Sequence, residues 1–433
     1  MNCLIGSHTK QIMKILHYNS RGQLCLEKIS LVNFCKNKVT PFYVYSKAEV
    51  ENNCREIYKL ANGYNFFPCY ALKANYNPTL LRLIRSYKFG ADVVSAGELY
   101  FAKKCGFTAG QIVFAGVGKT QQEIESAIKS GIHSINIESE GELKIIDRIS
   151  RRLKKQITLA IRLNPDIDPL THPYISTGLL TNKFGIDKDQ AVQIYLNLRH
   201  HPYILARGMH VHIGSQITTA TPYIQTAKFL LQLRQTLQNQ GVVIDFIDLG
   251  GGIGLNYKDQ LDSASTRRSY IRSVLPKLLG CFKNEPVKLI VELGRAIIGS
   301  AGLLITRVLY VKETPLKKFI IVDAGMNNLI RPSLYHAYHQ IIPLLKNNRP
   351  VEKVDVVGPV CETSDFLARG RTINVPRAGE FLAITGTGAY AQASSSNYNL
   401  RPTVVEYLVN GSGTKIIYKG ESIEDIAAKY SWK

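Results

Sequence analysis

Lys73, Asp92, Arg162, His210, His212 and Glu292 lie in or at the ends of short β-type runs whose alternate positions are apolar or small. Period-two alternation puts Lys73 on one face with Cys69 and Ala71, Arg162 with Thr158 and Ala160, and His210 with His212. Leu159, Ile161, Val211, Ile213, Val291 and Leu293 take the opposite face. Buried charges are costly unless paired, so several of them on one face read as a site, against the blander alternative of a satisfied structural network. Taken singly, a strand lysine is more often an ordinary ion-pair partner and a strand histidine a satisfied core donor. Gly250, Gly251, Gly252 and Gly254 follow another such run. Glycine runs are often only tight turns, but missing side chains also let backbone amides approach a phosphate.

The elements that must position these residues are legible from the same alternation. Strands are expected near 67–74, 91–95, 111–115, 135–139, 157–164, 206–213, 244–249 and 288–293, separated by amphipathic helical patterns such as 121–130, ending at Gly131, and 223–239. Strand and helix in alternation imply a parallel sheet, and eight strands imply a closed (β/α) barrel. Catalytic groups in such barrels gather at the carboxyl ends of the strands, with phosphate commonly bound after the seventh and eighth; the triple glycine follows the seventh. The Pro-rich stretch 165–186 is too long for an ordinary connection and is taken as a functional loop. After residue 296 the pattern turns to β-type segments, at 303–312, 318–323, 354–360, 380–385 and 403–409. The expected organisation is therefore an N-terminal segment 1–40 pairing with a C-terminal sheet, a barrel over 41–295, and an all-β domain over 296–433.

A lysine at a strand end, a phosphate cradle and an acid opposite suit pyridoxal phosphate, which needs a Schiff-base amine, a phosphate site and a partner for its pyridine nitrogen. Lys73 would be that amine, Glu292 that partner, and His212 would lie against the ring face. The run Val113 to Thr120 is not a P-loop, because valine stands where the leading glycine belongs. A metal-dependent barrel hydrolase is the rival from another class, since His210-Val-His212 places two imidazoles on one strand face. Two ligands fall short of the three that catalytic zinc usually takes, so no metal is expected.

The chain has 433 residues and a formal net charge of +21, with basic residues spread along its length and no nucleic-acid-binding signature. A basic surface around a site for an anionic substrate is the expectation, and a nucleic-acid partner is not. Cys3, Cys25, Cys35, Cys54, Cys69, Cys105, Cys281 and Cys361 form no CxxC pair and no disulfide framework, which suits a reducing cytoplasm. No run approaches the roughly 18 apolar residues of a membrane span, and the first 30 residues lack a secretory signal's apolar segment.

The chain also resembles a known family over nearly its whole length. YALKAN (70–75), DVVSAGEL (92–99), RLNPDIDPLTHPYISTG (162–178), NKFGI (182–186), HVHIGSQI (210–217), DLGGGIG (248–254), LIRPSLYHAYH (329–339), GPVCETSD (358–365) and GTGAY (386–390) are similar to motifs of the fold-type III pyridoxal-phosphate decarboxylases. The resemblance implies a barrel of the alanine-racemase and ornithine-decarboxylase type with an all-β domain. It also implies Lys73 as the cofactor lysine, working through an external aldimine, with His212 stacking. Asp92, Ser215, Gly250, Gly251, Gly252, Glu292, Gly294, Arg295 and Tyr390 would then serve the cofactor. Arg295, Arg331, Tyr335, Glu362 and Tyr390 would contact substrate, and Cys361 would donate a proton. The family completes its site across a homodimer, so Cys361 and Glu362 would serve the partner's barrel. Within the family the motifs are most similar to the branch that converts meso-diaminopimelate to L-lysine and CO2, the last step of lysine biosynthesis; ornithine- or arginine-type decarboxylation is the nearer alternative. A distal ammonium and carboxylate on the substrate call for an acid and for arginines, whose planar fork binds carboxylate bidentately. This chain departs from the family at Leu293, where proline is usual, at Asn328 for a frequent aspartate and at Ala96 for a frequent glycine.

Overall fold

The computed structural model describes residues 14–168, 183–261 and 269–432. Eight parallel strands close into a barrel: β5 (Phe66–Ala71), β6 (Gly90–Val93), β7 (Ile112–Phe114), β8 (Ser134–Ile137), β9 (Ile157–Arg162), β10 (Ile204–His210), β11 (Phe246–Asp248) and β12 (Lys288–Leu293). They stand where the alternation placed them. Leu159, Ile161, Val211, Ile213, Val291 and Leu293 pack in the large cluster shared with the surrounding helices, as the opposite face of the strands requires. The lower barrel interior is filled by Cys69, Val113, Ala160, Phe246 and Ile290, so the barrel is plugged below and open only at its carboxyl end.

Local signals set the helix ends. Gln121–Ser130 starts at a reciprocal Thr120 and Glu123 capping box and stops at Gly131 in the left-handed conformation, φ 64°. Lys119 of the rejected P-loop candidate is buried instead as a structural cation, 2.8 Å from Glu142. Of the functional loop expected over 165–186, residues 169–182 lie outside the described residues.

The second sheet has nine strands: β4 (Phe42–Ser46), β13 (Gly302–Glu313), β14 (Lys318–Val322), β15 (Ile341–Pro343), β16 (Val351–Val357), β17 (Phe366–Asn374), β18 (Phe381–Ile384), β19 (Glu406–Asn410) and β20 (Gly413–Tyr418). Here one expectation is corrected. β4, counted with the barrel segment 41–295, pairs antiparallel with β13 and parallel with β19, and all five of its residues are buried. The N-terminal strands β1 (Leu16–Tyr18), β2 (Leu24–Leu26) and β3 (Ile29–Ser30) pair with one another, touching the nine-stranded sheet through a bridge between Gln23 and Leu345. Leu16, Leu24 and Leu26 pack with Phe42, Val44, Leu303 and Tyr407 in a second core. No helix among the described residues is long and apolar enough to cross a membrane.

Candidate active site

A cavity of about 760 Å³ opens at the carboxyl ends of the barrel strands and runs toward the second sheet. Its wall includes Lys73, His212, Ser215, Gly252, Glu292, Gly294, Arg295, Arg331, Tyr335 and Tyr390. Ten of the residues singled out from the sequence thus meet around one space.

At the barrel end, β5 gives way to a single tight turn, Leu72–Ala74, which lifts Lys73 off the strand. Its Nζ lies 3.3 Å from Oδ2 of Asp92, which is fully buried on β6, beneath the lysine and not in the cavity wall. Burial disfavours the ammonium, but Asp92 and Glu292 outweigh it and raise the Lys73 pKa. Glu292, near the end of β12, sits between two imidazoles, with Oε1 3.4 Å from His210 Nε2 and Oε2 3.8 Å from His212 Nδ1. Burial acts against its charge, yet His210 and then Lys73 hold the carboxyl well below the usual range. Asp248 and Asp92 move the other way, pushed up by burial and then by the nearby charge of Glu292. Of the three buried carboxyls, Glu292, the one that reaches the cavity, is the one whose charge its surroundings favour.

The glycine bend has a different first duty from the one expected. Gly250 N–H donates to Asp248 Oδ1 at 2.9 Å and Gly251 N–H donates to His212 Nδ1 at 3.0 Å, so two of its three amides orient side chains. Gly252 alone of the three reaches the cavity wall. Side chains are excluded by close approach: a Cβ on Gly251 would lie 1.9 Å from the Glu292 carbonyl oxygen, and Gly252 takes φ +101° with 2.1 Å to that of Gly214. Because Nδ1 of His212 accepts, the ring is neutral with its proton on Nε2. Burial, followed by the charge on Lys73, depresses its pKa in the same sense.

The opposite end is cationic. Arg295 opens the short helix Arg295–Ile298, directly after Leu293 and Gly294, and Arg331 opens Arg331–Tyr335. Leu293, where proline is usual in the family, is buried at the end of the strand, and Arg295 two residues on lines the cavity. Arg295 donates to Ser215 Oγ at 2.9 Å and to the Tyr257 hydroxyl, and its guanidinium lies 4.8 Å from the Tyr390 ring centre. Arg331 meets His339 Nε2 at 2.7 Å and lies 4.7 Å from the ring centre of Tyr257. Tyr390, at φ 55°, donates its N–H to the Ala74 carbonyl at 2.8 Å, and Asn75 Nδ2 donates to the Gly388 carbonyl at 3.1 Å.

Cys361 and Glu362 are not brought to this cavity. Both are exposed on the loop after β16, where Cys361 N–H donates to Asn399 Oδ1 at 2.9 Å and Glu362 accepts from the Tyr398 hydroxyl. Asn328 accepts from Gly325 N–H and Ala96 N–H donates to Glu123, both away from the cavity. The sequence reading missed Asp248, Tyr257 and His339; each lies inside or just beyond a quoted motif, which was the available signal. Asp248 also bears on the hydrolase rival, because with His210 and Glu292 it makes a third donor within 4.8 Å. All three are buried, whereas catalytic zinc keeps an open coordination position.

The cavity fits pyridoxal phosphate on its own features: an amine over a paired acid, a buried carboxylate whose Oε1 lacks a hydrogen bond, a neutral imidazole, and a bend that side chains would fill. Residues 47–299 match the family model for the pyridoxal-dependent decarboxylase, pyridoxal binding domain. The chain is 43% identical to the diaminopimelate decarboxylase of Aquifex aeolicus, over 96% of this chain and 97% of that one. It is 40% identical to the Vibrio cholerae diaminopimelate decarboxylase over 96% and 98%.

The chain belongs to the diaminopimelate decarboxylase family.

Solved structures of that family agree in fold. The Helicobacter pylori diaminopimelate decarboxylase in complex with L-lysine superposes with a TM-score of 0.86 at 36% identity, covering 92% of this chain and 98% of that one. The m. jannaschii diaminopimelate decarboxylase in complex with L-lysine gives 0.87 at 33% identity over 96% of this chain and 98% of that one.

Proposed function

We infer that this chain removes one carboxyl group of meso-2,6-diaminopimelate as CO2 and leaves L-lysine, using pyridoxal phosphate. The observation that carries the reading is a family likeness over nearly the full chain that includes a cavity with an amine and a buried carboxylate at one end and two arginines at the other. When bound, the coenzyme supplies a sink for the electron pair released as the carbon–carboxylate bond breaks. Lys73 would hold it through Nζ, with Asp92 positioning that amine. Glu292 would hold the pyridine nitrogen and His212 the ring face, while Ser215, Gly252, Gly294, Arg295 and Tyr390 would line its remaining edges and Gly250 and Gly251 would act from behind, orienting Asp248 and His212.

The substrate's unreactive end carries a carboxylate and an ammonium. Arg295 and Arg331 meet the carboxylate, Glu362 meets the ammonium, and Tyr335 and Tyr390 fill the space between. Cys361, assisted by Tyr390, places a proton on the carbon that lost CO2, which restores its fourth bond; general acid help of this kind is worth roughly 10²–10⁴ in rate. Since Cys361 and Glu362 face outward on their own chain, they serve a second copy, and the working unit is a homodimer. The cysteines of the described residues are all unpaired, which supports a reducing cytoplasm.

The deciding assay is release of CO2 and L-lysine from meso-diaminopimelate, with and without added pyridoxal phosphate. Coenzyme-dependent release of both in equal amounts is expected. Faster turnover of ornithine or arginine would replace the substrate assignment, and turnover that tracks a stoichiometric metal without coenzyme would replace the reaction.

A further inference from the structure

The two guanidiniums at the cationic end are buried, with Arg295 6% and Arg331 4% exposed, and neither forms an ion pair with a carboxylate among the described residues. Their hydrogen bonds go to neutral groups. Arg295 is held by the Tyr257 and Ser215 hydroxyls, and its Nε is left without a partner. Arg331 is held by His339, whose other nitrogen, Nδ1, lies 2.8 Å from the Thr385 carbonyl oxygen. A carbonyl can only accept, so Nδ1 carries the proton and Nε2 is the bare acceptor that Arg331 requires. The Tyr257 and His339 rings pack edge to face at 4.8 Å, which locks the two acceptors against each other.

We propose that Tyr257 and His339 are positioning residues that aim Arg295 and Arg331 at the substrate's distal carboxylate while leaving both charges unspent. A carboxylate in either position would hold the arginines equally well but would satisfy their charge within the chain, and an incoming anion would then have to displace it. Neutral acceptors avoid that competition. They also set specificity, because a ligand without the distal carboxylate leaves two buried cations unpaired. Burial and the neighbouring Arg295 bring the Arg331 pKa down to about 10, in keeping with a cation that lacks a counter-charge. The inference rests on the distal-carboxylate reading above and adds the residues that make it selective.

The test uses the coenzyme-loaded enzyme and follows binding by the change in its visible absorbance. The probes are L-lysine, which keeps the distal carboxylate, and 1,5-diaminopentane, which lacks it. His339→Glu is expected to weaken L-lysine about tenfold or more, while His339→Gln, which can accept from Arg331 and donate to Thr385, stays within about threefold. Tyr257→Phe is expected to weaken L-lysine roughly tenfold, the scale of one lost hydrogen bond to a charged group. In all three, affinity for 1,5-diaminopentane stays within about threefold. Equal behaviour of the Glu and Gln variants, or parallel losses for both probes, overturns the proposal. Should His339→Glu not retain coenzyme, unchanged L-lysine binding in Tyr257→Phe overturns it. Arg331→Ala is run alongside: if that variant keeps the preference for L-lysine, the distal-carboxylate reading itself fails, whereas a lost preference there with none lost in His339→Glu refutes only the present inference.

Discussion

The two ends of the cavity treat charge in opposite ways. At the barrel end three carboxyls, Asp92, Asp248 and Glu292, converge on one amine and two imidazoles, with Lys73 paired to Asp92 and His210 beside Glu292. At the far end two guanidiniums share the space with phenols and an imidazole and, among the described residues, hydrogen-bond to no acid. The first arrangement is internally compensated and suits a resident coenzyme. The second is left uncompensated and suits a ligand that comes and goes. Construction follows the same division in part: barrel strand ends and the turns just after them carry the first set, whereas Arg295, Arg331 and His339 stand on segments after the last barrel strand and Tyr257 on the loop after β11.

If that contrast is right, substitutions at the two ends should fail differently. The largest effect is expected for Lys73→Ala, which should abolish the visible absorbance of lysine-bound coenzyme and nearly all turnover; a variant retaining both would remove Lys73 from its role. Cys361→Ala should leave the coenzyme spectrum intact and lower kcat by roughly 10²–10⁴. An unchanged kcat would exclude the thiol as proton donor. Glu292→Gln should retain coenzyme yet lose roughly 10²–10³ in kcat, the scale of removing one preorganised electrostatic partner. Its spectrum measured against pH should also shift, which a purely structural role would not cause. Arg331→Ala should reduce kcat/KM for diaminopimelate by about 2–4 kcal/mol, mostly through KM, with a smaller loss for diamino acids lacking the distal carboxylate. Equal losses for both substrates would erase the distinction between the two ends.

The barrel was legible because its signals are local. Alternation in 157–162 and 288–293, with a cap at Thr120 and a stop at Gly131, marks each element within its own residues. β4 was misassigned for the converse reason: its partners, β13 and β19, lie more than 250 residues along the chain, and five buried residues in a row say nothing about which sheet they join. The cavity followed the same rule. Lys73, His212 and Glu292 could be read from strand position, whereas Asp248 and His339 owe their importance to hydrogen bonds with Gly250, Arg331 and Thr385, which no spacing reveals. Cys361 and Glu362 were legible only through family resemblance, because nothing in their own chain leads them to the cavity.

The bond from Tyr390 N–H to the Ala74 carbonyl, with Asn75 reaching Gly388, fastens the loop of one domain to the turn that carries Lys73 in the other. A hinge that parted the two bodies would have to break these bonds next to Lys73. Melting should accordingly be a joint event, and calorimetry should record one endotherm for the pair; two resolved peaks would mean the rivet bears no weight.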